Sequence, residues 1–295
     1  MNISVVIPAY KNTRQLADNL ATNLPHLKGC EVIVVNDYPP ESLQTVTRKF
    51  PAVTLIENAH NLGFAGAVNV GVSQAQGDYV MLLNSDVVLL DSSFRRAVEH
   101  LHRDSNLFAV SFAQRERDGG TVGSNRLYWK DGMMYHSKSN GKTGPNGWAE
   151  GGACMVNARI YRELGGFDTL FSPFYWEDID LSYRAWRSGY AVMYDSEILV
   201  EHHHESTIGK YFGKQQINAT TFRNQLIFIW KNIDDRRLMR EHRSRLPGLL
   251  LRQTIKGEFT YLSGFLRALF MIGEIRDKRS SYKLTDQSVL DHFHE

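Results

Sequence analysis

The chain has 295 residues, 34 Lys+Arg against 32 Asp+Glu, 42% hydrophobic residues and two cysteines. That length supports a full α/β core, and 22% charged residues among abundant aliphatic and aromatic side chains exclude a disordered or low-complexity chain. Cys30 and Cys154 are too few and too far apart for a disulfide scaffold or a zinc ribbon, and a formal charge of +2 calls for no nucleic-acid partner.

The opening Met1-Asn-Ile-Ser-Val-Val-Ile-Pro-Ala-Tyr10 has neither a basic region nor a long apolar core, so it does not read as a signal peptide. No stretch reaches the roughly 18–20 uncharged apolar residues of a membrane span. The expected location is a reducing cytoplasm, either free or peripheral on the inner face of a membrane. Short apolar runs at 3–9, 31–37, 53–57 and 79–84 predict buried strands. Between and after them, helical spacing predicts helices over 13–24, 41–50, 65–76 and 92–103. Asn12 or Thr13 can cap the first, and Asp91 or Ser92 the last. This rhythm argues for a mostly parallel sheet covered by helices on both faces. Ligands of such sheets bind beyond the carboxyl ends of the strands, here Ala9-Tyr10, Asn36-Asp37 and Asn84-Ser85-Asp86.

From about 108 to 204 the pattern is less regular. Gly119-Gly120, Gly123, Gly132, Gly141, Gly144-Pro145 and Gly147 predict turns between short aromatic-rich strands, a hairpin and a mobile loop. Residues 176–189 read as a helix ended by Gly189, with Asp180 and Arg184 spaced for an i,i+4 pair. From 222 to 283 there are 14 Lys+Arg against six Asp+Glu, a local charge of +8. The run 259–273 within it is apolar apart from Thr260, Tyr261, Ser263 and Arg267. It reads either as a helix lying on an anionic membrane surface or as helices packed on the rest of the chain or on a second copy in a homodimer.

Four clusters can carry chemistry. Asp86 ends a buried strand, where it serves either as a turn residue or as the single carboxylate that a Mg²⁺ or Mn²⁺ ion bridging a diphosphate needs. Asp37, before Pro39-Pro40, either forms a turn or accepts hydrogen bonds from a nucleobase or ribose. Glu177 and Asp178 open a helix, either complementing its dipole or placing a general base beside the aromatic residues Phe174, Tyr175 and Trp176. In His202-His203-His204, the first and third share a face and can meet a metal ion, whereas a structural zinc site lacks its cysteine partners. No P-loop or nucleophile elbow is present, and Gly63-Phe64-Ala65-Gly66 is at most a weak phosphate-approach motif.

Taken in order, Ile7-Pro8-Ala9-Tyr10, Val35-Asn36-Asp37, Asn61-Leu62-Gly63-Phe64-Ala65 with Asn69-Val70-Gly71, and Leu83-Asn84-Ser85-Asp86 resemble a family 2 glycosyltransferase. Gly151-Gly152-Ala153-Cys154, Gly165-Gly166-Phe167-Asp168, Trp176-Glu177-Asp178-Ile179-Asp180-Leu181, Gly189-Tyr190 and the segment from His202 to Thr207 continue the resemblance. It covers about 3–207 and is nearest to the bacterial rhamnosyltransferase-like branch.

The resemblance implies a GT-A, Rossmann-like three-layer fold, a nucleoside-diphosphate sugar (dTDP- or UDP-linked), Mg²⁺ or Mn²⁺, and inversion at the anomeric carbon. By it, Pro8, Ala9, Tyr10 and Asp37 hold the base, and Asn61, Gly63, Phe64 and Asn69 follow the nucleotide and phosphates. Asn84-Ser85-Asp86 stands at the family's Asp-x-Asp position, with Asn in first place, so Asp86 becomes the main metal ligand. His202 is expected to complete the metal shell, with His204 as second choice. Asp178 becomes the base with Glu177 beside it, and Gly152, Tyr175 and Trp176 face a glycan or lipid-linked acceptor. The implied division is a catalytic domain over 1–215, with a nucleotide half at 1–105 and an acceptor half at 106–215, and a helical extension over 216–295. Rival readings are a sugar nucleotidyltransferase, which lacks its Gly-rich, Arg-containing loop after the first strand, and an inactive glycan-binding scaffold.

Overall fold

The computed structural model describes residues 2–202 and 207–293. Its first part alternates β1 (Ile3–Ala9), α1 (Thr13–Asn23), β2 (Glu31–Asn36), α2 (Gln44–Thr47), β3 (Val53–Glu57), α3 (Gly63–Gln74) and β4 (Tyr79–Leu83), then β5 (Val87–Leu89) and α4 (Arg95–Arg103). Next come β6 (Leu107–Arg115), β7 (Thr121–Val122), β8 (Asn125–Lys130), β9 (Met133–Lys138), β10 (Gly144–Pro145), β11 (Ala153–Asn157), α5 (Ala158–Glu163), α6 (Glu177–Arg187) and β12 (Ala191–His202). The tail is helical: α7 (Thr207–Tyr211), α8 (Lys214–Asn232), α9 (Arg236–Ile255), α10 (Phe259–Phe270), α11 (Ile272–Asp277) and α12 (Asp286–Asp291).

Among the described residues the main sheet has ten strands, with a spine in the order β10-β12-β6-β11-β4-β1-β2-β3. β1 runs parallel to β2 and β4, and β2 to β3, as the βαβ rhythm requires. β11 runs against both of its neighbours, β4 and β6. The strands alternate: Val5, Ile7, Met81 and Leu83 pack under α1 and α4, while Val6, Val80 and Leu82 pack against α3 and the later helices. This is a three-layer GT-A architecture with several helices after the sheet.

Two expected helices shift for local reasons, and an expected cap does not form. The helix expected over 41–50 shrinks to α2, because the Glu57 carboxylate captures the Leu43 amide at 3.1 Å and the Gln44 side chain at 3.3 Å. The helix expected from 92 starts at Arg95, since Asp91 instead closes a turn by accepting from the Ser93 amide at 2.7 Å. Asn12 does stand before α1, but its backbone is left-handed at φ 55° and its side chain makes no cap bond. The expected hairpin is β8–β9, and the expected Asp180–Arg184 pair closes at 2.8 Å inside the protein.

α8 is part of the core, with Leu226, Ile227, Phe228 and Ile229 fully buried. Its Lys231 ammonium is buried between Asp180 (2.8 and 2.9 Å) and Asp168 (2.7 Å). Lys231→Met is therefore expected to lower the unfolding free energy by about 3–5 kcal/mol, because it strands buried carboxylates. A urea midpoint that does not move would exclude this role. α12 is tied in as well, through a buried Arg187–Asp286 ion pair and the Tyr183 hydroxyl donating to Asp286 at 2.6 Å.

α10 meets α8 along one face only. Tyr261 packs on Phe222 with centroids 4.7 Å apart and Phe265 on Trp230 at 6.2 Å, while Gly264 permits contact so close that a Cβ would sit 2.7 Å from the Ala219 carbonyl. α10 thus packs on α8 through this face, and large apolar side chains on its other face are exposed. Among the described residues no helix is long and apolar enough to cross a membrane.

Candidate functional site

A cleft of about 300 Å³ lies at the carboxyl ends of β1, β2 and β4. Chain positions far apart converge there. Pro8, Ala9 and Tyr10 come from the end of β1, Asp37 from β2, Asn84, Ser85 and Asp86 from β4, and His202 from β12. Asn61, Gly63 and Phe64 reach it from the start of α3, and Gly152, Tyr175, Glu177 and Asp178 form the opposite wall.

Each carboxylate is held by a specific local device. Asp37 is buried and accepts from the Leu62 amide and the Asn58 side chain, both at 2.8 Å, so it fixes the loop that leads into α3. Burial pushes its pKa up despite these donors. The Asn84 amide donates to the Gly152 carbonyl (2.8 Å) and the Val87 amide to the Asn84 carbonyl (3.1 Å), which closes a turn over Ser85 and Asp86; a side chain at Gly152 would meet the Asn84 side-chain amide at 2.7 Å and displace it. Below that turn, Asn19 of α1 donates to the Ser85 carbonyl at 2.8 Å. Asn23, one helical turn later, bonds the Val87 carbonyl (2.9 Å) and the Leu89 amide (2.8 Å).

Asp86 Oδ1 is buried and, among the described residues, has no hydrogen-bond partner; His202 Nε2 stands 3.4 Å away. A buried carboxylate oxygen that faces only a distant imidazole among the described residues fits a divalent cation whose remaining ligands are phosphate and water oxygens. Burial alone would lower the His202 pKa, yet its polar contact with the Asp86 carboxylate and the charges of Asp86, Glu116 and Glu150 raise it, and negative charge that favours a proton also favours a metal cation. Among the described residues no group of three or more His, Cys, Asp or Glu could hold an ion unaided. His204 lies outside the described residues.

Glu177 and Asp178 are aimed by a strained turn. Tyr175 and Trp176 have φ of 70° and 77°, a left-handed pair without glycine that costs about 1–3 kcal/mol per residue. The Asn224 side chain of α8 offsets that cost by donating to the carbonyls of Phe171 (2.7 Å), Phe174 (2.9 Å) and Tyr175 (2.8 Å). The Trp176 ring is buried between His136 and Phe228. Asp178 accepts from the Ile179 amide at 2.8 Å, and desolvation with the nearby Glu150 charge lifts its pKa to about 6. Glu177, one oxygen of which is buried without a partner among the described residues, is pushed up by burial and by Asp178 to about 8. Both carboxyl groups are thus driven toward their protonated forms, Glu177 further than Asp178.

Two expected residues have other roles. Asn69 does not line the cleft: its amide donates to the Phe167 carbonyl (2.8 Å) and accepts from the Tyr161 hydroxyl (2.7 Å), which locks the Gly166-Phe167 loop. Trp176, expected to face the acceptor, is a core residue beneath the wall that Tyr175 and Glu177 form, not part of its surface. Residues that sequence reasoning missed include Phe212, which lines the cleft and packs on Phe174 with centroids 4.9 Å apart, and Asn224, which holds the wall. Neither sits in a local pattern that marks it.

The chain is similar in sequence and in fold to known proteins. A family model described as Glycosyl transferase family 2 matches residues 4–165. EpsE of Bacillus subtilis (strain 168), a glycosyltransferase by assignment, is 26% identical over 200 residues, 64% of this chain and 68% of its own. The N-acetylglucosaminyl-diphospho-decaprenol L-rhamnosyltransferase of Mycobacterium tuberculosis (strain ATCC 25618 / H37Rv) is 23% identical over 197 residues, 57% of this chain and 64% of its own. Among solved structures, the mannosyltransferase PcManGT from Pyrobaculum calidifontis, in complex with GDP-Man and Mn2+, superposes with a TM-score of 0.59 at 15% identity. That likeness covers 91% of this chain and 87% of the mannosyltransferase.

Proposed function

The chain belongs to glycosyl transferase family 2, and from that premise we propose that it is a metal-dependent, inverting transferase. It moves a sugar from a nucleoside diphosphate to a hydroxyl of a glycan or lipid-linked acceptor in surface polysaccharide synthesis. The observation that carries this reading is the convergence of Asp37, Asp86, His202 and Asp178 on one cleft from four separate segments. A scaffold has no physical need for that set. The L-rhamnosyltransferase among the relatives, which carries a decaprenol-linked acceptor in its name, supports a lipid-linked acceptor and transfer of rhamnose; the donor proposed is dTDP-rhamnose, with a UDP-sugar as the other donor considered.

In this reading the base lies between Pro8 and Tyr10 at the end of β1, with Asp37 accepting from its donor groups. The start of α3 faces the diphosphate, where the positive end of the helix favours phosphate charge. Asp86 and His202 would hold Mg²⁺ or Mn²⁺, which supplies charge neutralisation for the departing diphosphate. The acceptor stands against Tyr175 and Gly152. Its hydroxyl oxygen attacks the anomeric carbon as the bond to the phosphate oxygen breaks, and Asp178 takes the hydroxyl proton. Burial and the neighbouring Asp178 favour the protonated form of Glu177, which adds no second negative charge beside the incoming nucleophile.

The test is a thermal-shift series with UDP, dTDP, GDP and CDP, each with and without Mn²⁺. A ligand that binds only the folded state at about 100 times its Kd stabilises it by about 2.7 kcal/mol. One nucleotide is expected to give a shift of several degrees that needs the metal. No shift with any nucleotide would remove the donor site from this cleft. Release of pyrophosphate rather than nucleoside diphosphate in turnover would favour nucleotidyl transfer instead.

A further inference from the structure

α10 has two opposed faces. Tyr261, Gly264, Phe265 and Ala268 face α8, whereas Phe259, Leu262, Leu266 and Phe270 point away from it and are exposed by 61%, 36%, 46% and 88%. The exposed residues fall at i, i+3, i+7 and i+11, one stripe of a helix. The stripe continues across the Gly257 turn to Leu251 and Ile255 at the end of α9, exposed by 63% and 76%. Scattered exposed apolar side chains need no explanation, but a continuous stripe of large ones on a helix already packed by its other face does.

Charge indicates what covers the stripe. Arg252, Lys256 and Arg267 are exposed on the same two helix segments, against a single exposed acid, Glu258. The wider tail from 222 to 283 carries the net +8 that the remainder of the chain balances with −6. A symmetric contact between two copies would place these cations against their own counterparts, which like-charge repulsion opposes. An anionic bilayer accepts both features, apolar side chains entering the acyl boundary and cations meeting lipid phosphates.

We propose that the outer face of α10, with the end of α9, docks the enzyme on an anionic lipid surface. The inference stands apart from the reaction assigned to the cleft, because it uses none of the cleft's residues. It also places α8 between the membrane face and the acceptor wall, since α8 carries α10 on one side and holds Phe174 and Tyr175 through Asn224 on the other.

Deleting the tail cannot test this, because Asp286 and α12 help hold α6. The experiment uses the full chain, co-sedimented with phosphatidylcholine vesicles that contain or lack about one quarter phosphatidylglycerol, at about 0.1 M and 0.5 M salt. Light scattering gives the oligomeric state in parallel. Sedimentation with the anionic vesicles is expected to be at least about tenfold stronger than with neutral ones, and to weaken at high salt. Leu266→Glu/Phe270→Glu should reduce it by at least about tenfold with an unchanged Tm. Arg252→Glu/Lys256→Glu, a separate pair of exposed substitutions, should abolish the preference for anionic lipid. Binding that neither variant weakens would overturn the proposal. So would an absence of vesicle binding, or a dimer that the Leu266/Phe270 variant converts to monomer without any vesicle binding in the parent.

Discussion

Asp178→Asn is expected to lower kcat by about 10²–10⁴-fold while leaving the affinity for nucleotide and Mn²⁺ unchanged. The substitution keeps the side chain's shape and its place on α6 but removes the only role assigned to it, accepting the acceptor's proton. Because burial and Glu150 lift its pKa to about 6, kcat/KM of the parent should climb as pH rises through that value, well above the range of an ordinary aspartate. The stability effect has the opposite sign. A carboxyl that binds its proton more tightly when folded contributes least once pH has passed its folded pKa, so at pH 7–8 the ionised group is a net cost. The asparagine variant should therefore melt at the same temperature as the parent or higher. Near-normal turnover would remove Asp178 as the base, and a loss of nucleotide affinity equal to the loss of kcat would make it a binding residue.

Asp86→Ala is expected to separate the nucleotide from the metal. Loss of even an outer-shell partner typically costs about 10–100-fold in metal affinity, and Asp86 is proposed as a direct ligand, so the loss should be at least as large. The parent's Mn²⁺-dependent gain in nucleotide affinity should disappear, while metal-free affinity, carried by Tyr10, Asp37 and the start of α3, remains. Equal affinities for nucleotide with and without Mn²⁺ in the parent would sink the metal assignment before any variant is made. His202→Ala should give the same effect in weaker form, because it leaves the carboxylate in place.

Much of this cleft is legible before any coordinates are drawn. Asp37 and Asp86 each follow a run of Val, Ile or Leu that can only be a buried strand, and a parallel sheet puts the ends of such strands on one edge. The carboxylates of α6 are legible in the same way, as acids at the start of a helix with a clear stop. Contacts made across long sequence gaps leave no local trace. Asn224 lies 49 residues beyond Tyr175, whose carbonyl it holds, and Lys231 lies 51 beyond Asp180. A lone Asn or Lys in an amphipathic helix has the same appearance whether it faces water or a buried carboxylate. Asn69 misleads for the related reason that an amide suited to a phosphate is equally suited to a backbone loop. α2 and the start of α4 shift because Glu57 and Asp91 compete for backbone amides, which periodicity does not register.

The Asn224 clamp bears on how this scaffold can be recombined. The family match ends at residue 165, before α8 begins, yet the backbone of the cleft's acceptor side is pinned by α8. A chimera that joins this sheet to another relative's tail would leave the left-handed Tyr175-Trp176 turn without its clamp, unless an amide arrives at the same position. Glu177 and Asp178, the carboxyl groups proposed for catalysis, would then lose their aim although neither had been altered. Grafting 1–105 alone would also break contacts with the rest of the chain, among them Asn69 with the Phe167 carbonyl and the Asn84 amide with the Gly152 carbonyl. Grafting the acceptor half means carrying α8 with it, and with α8 the surface on which α10 rests.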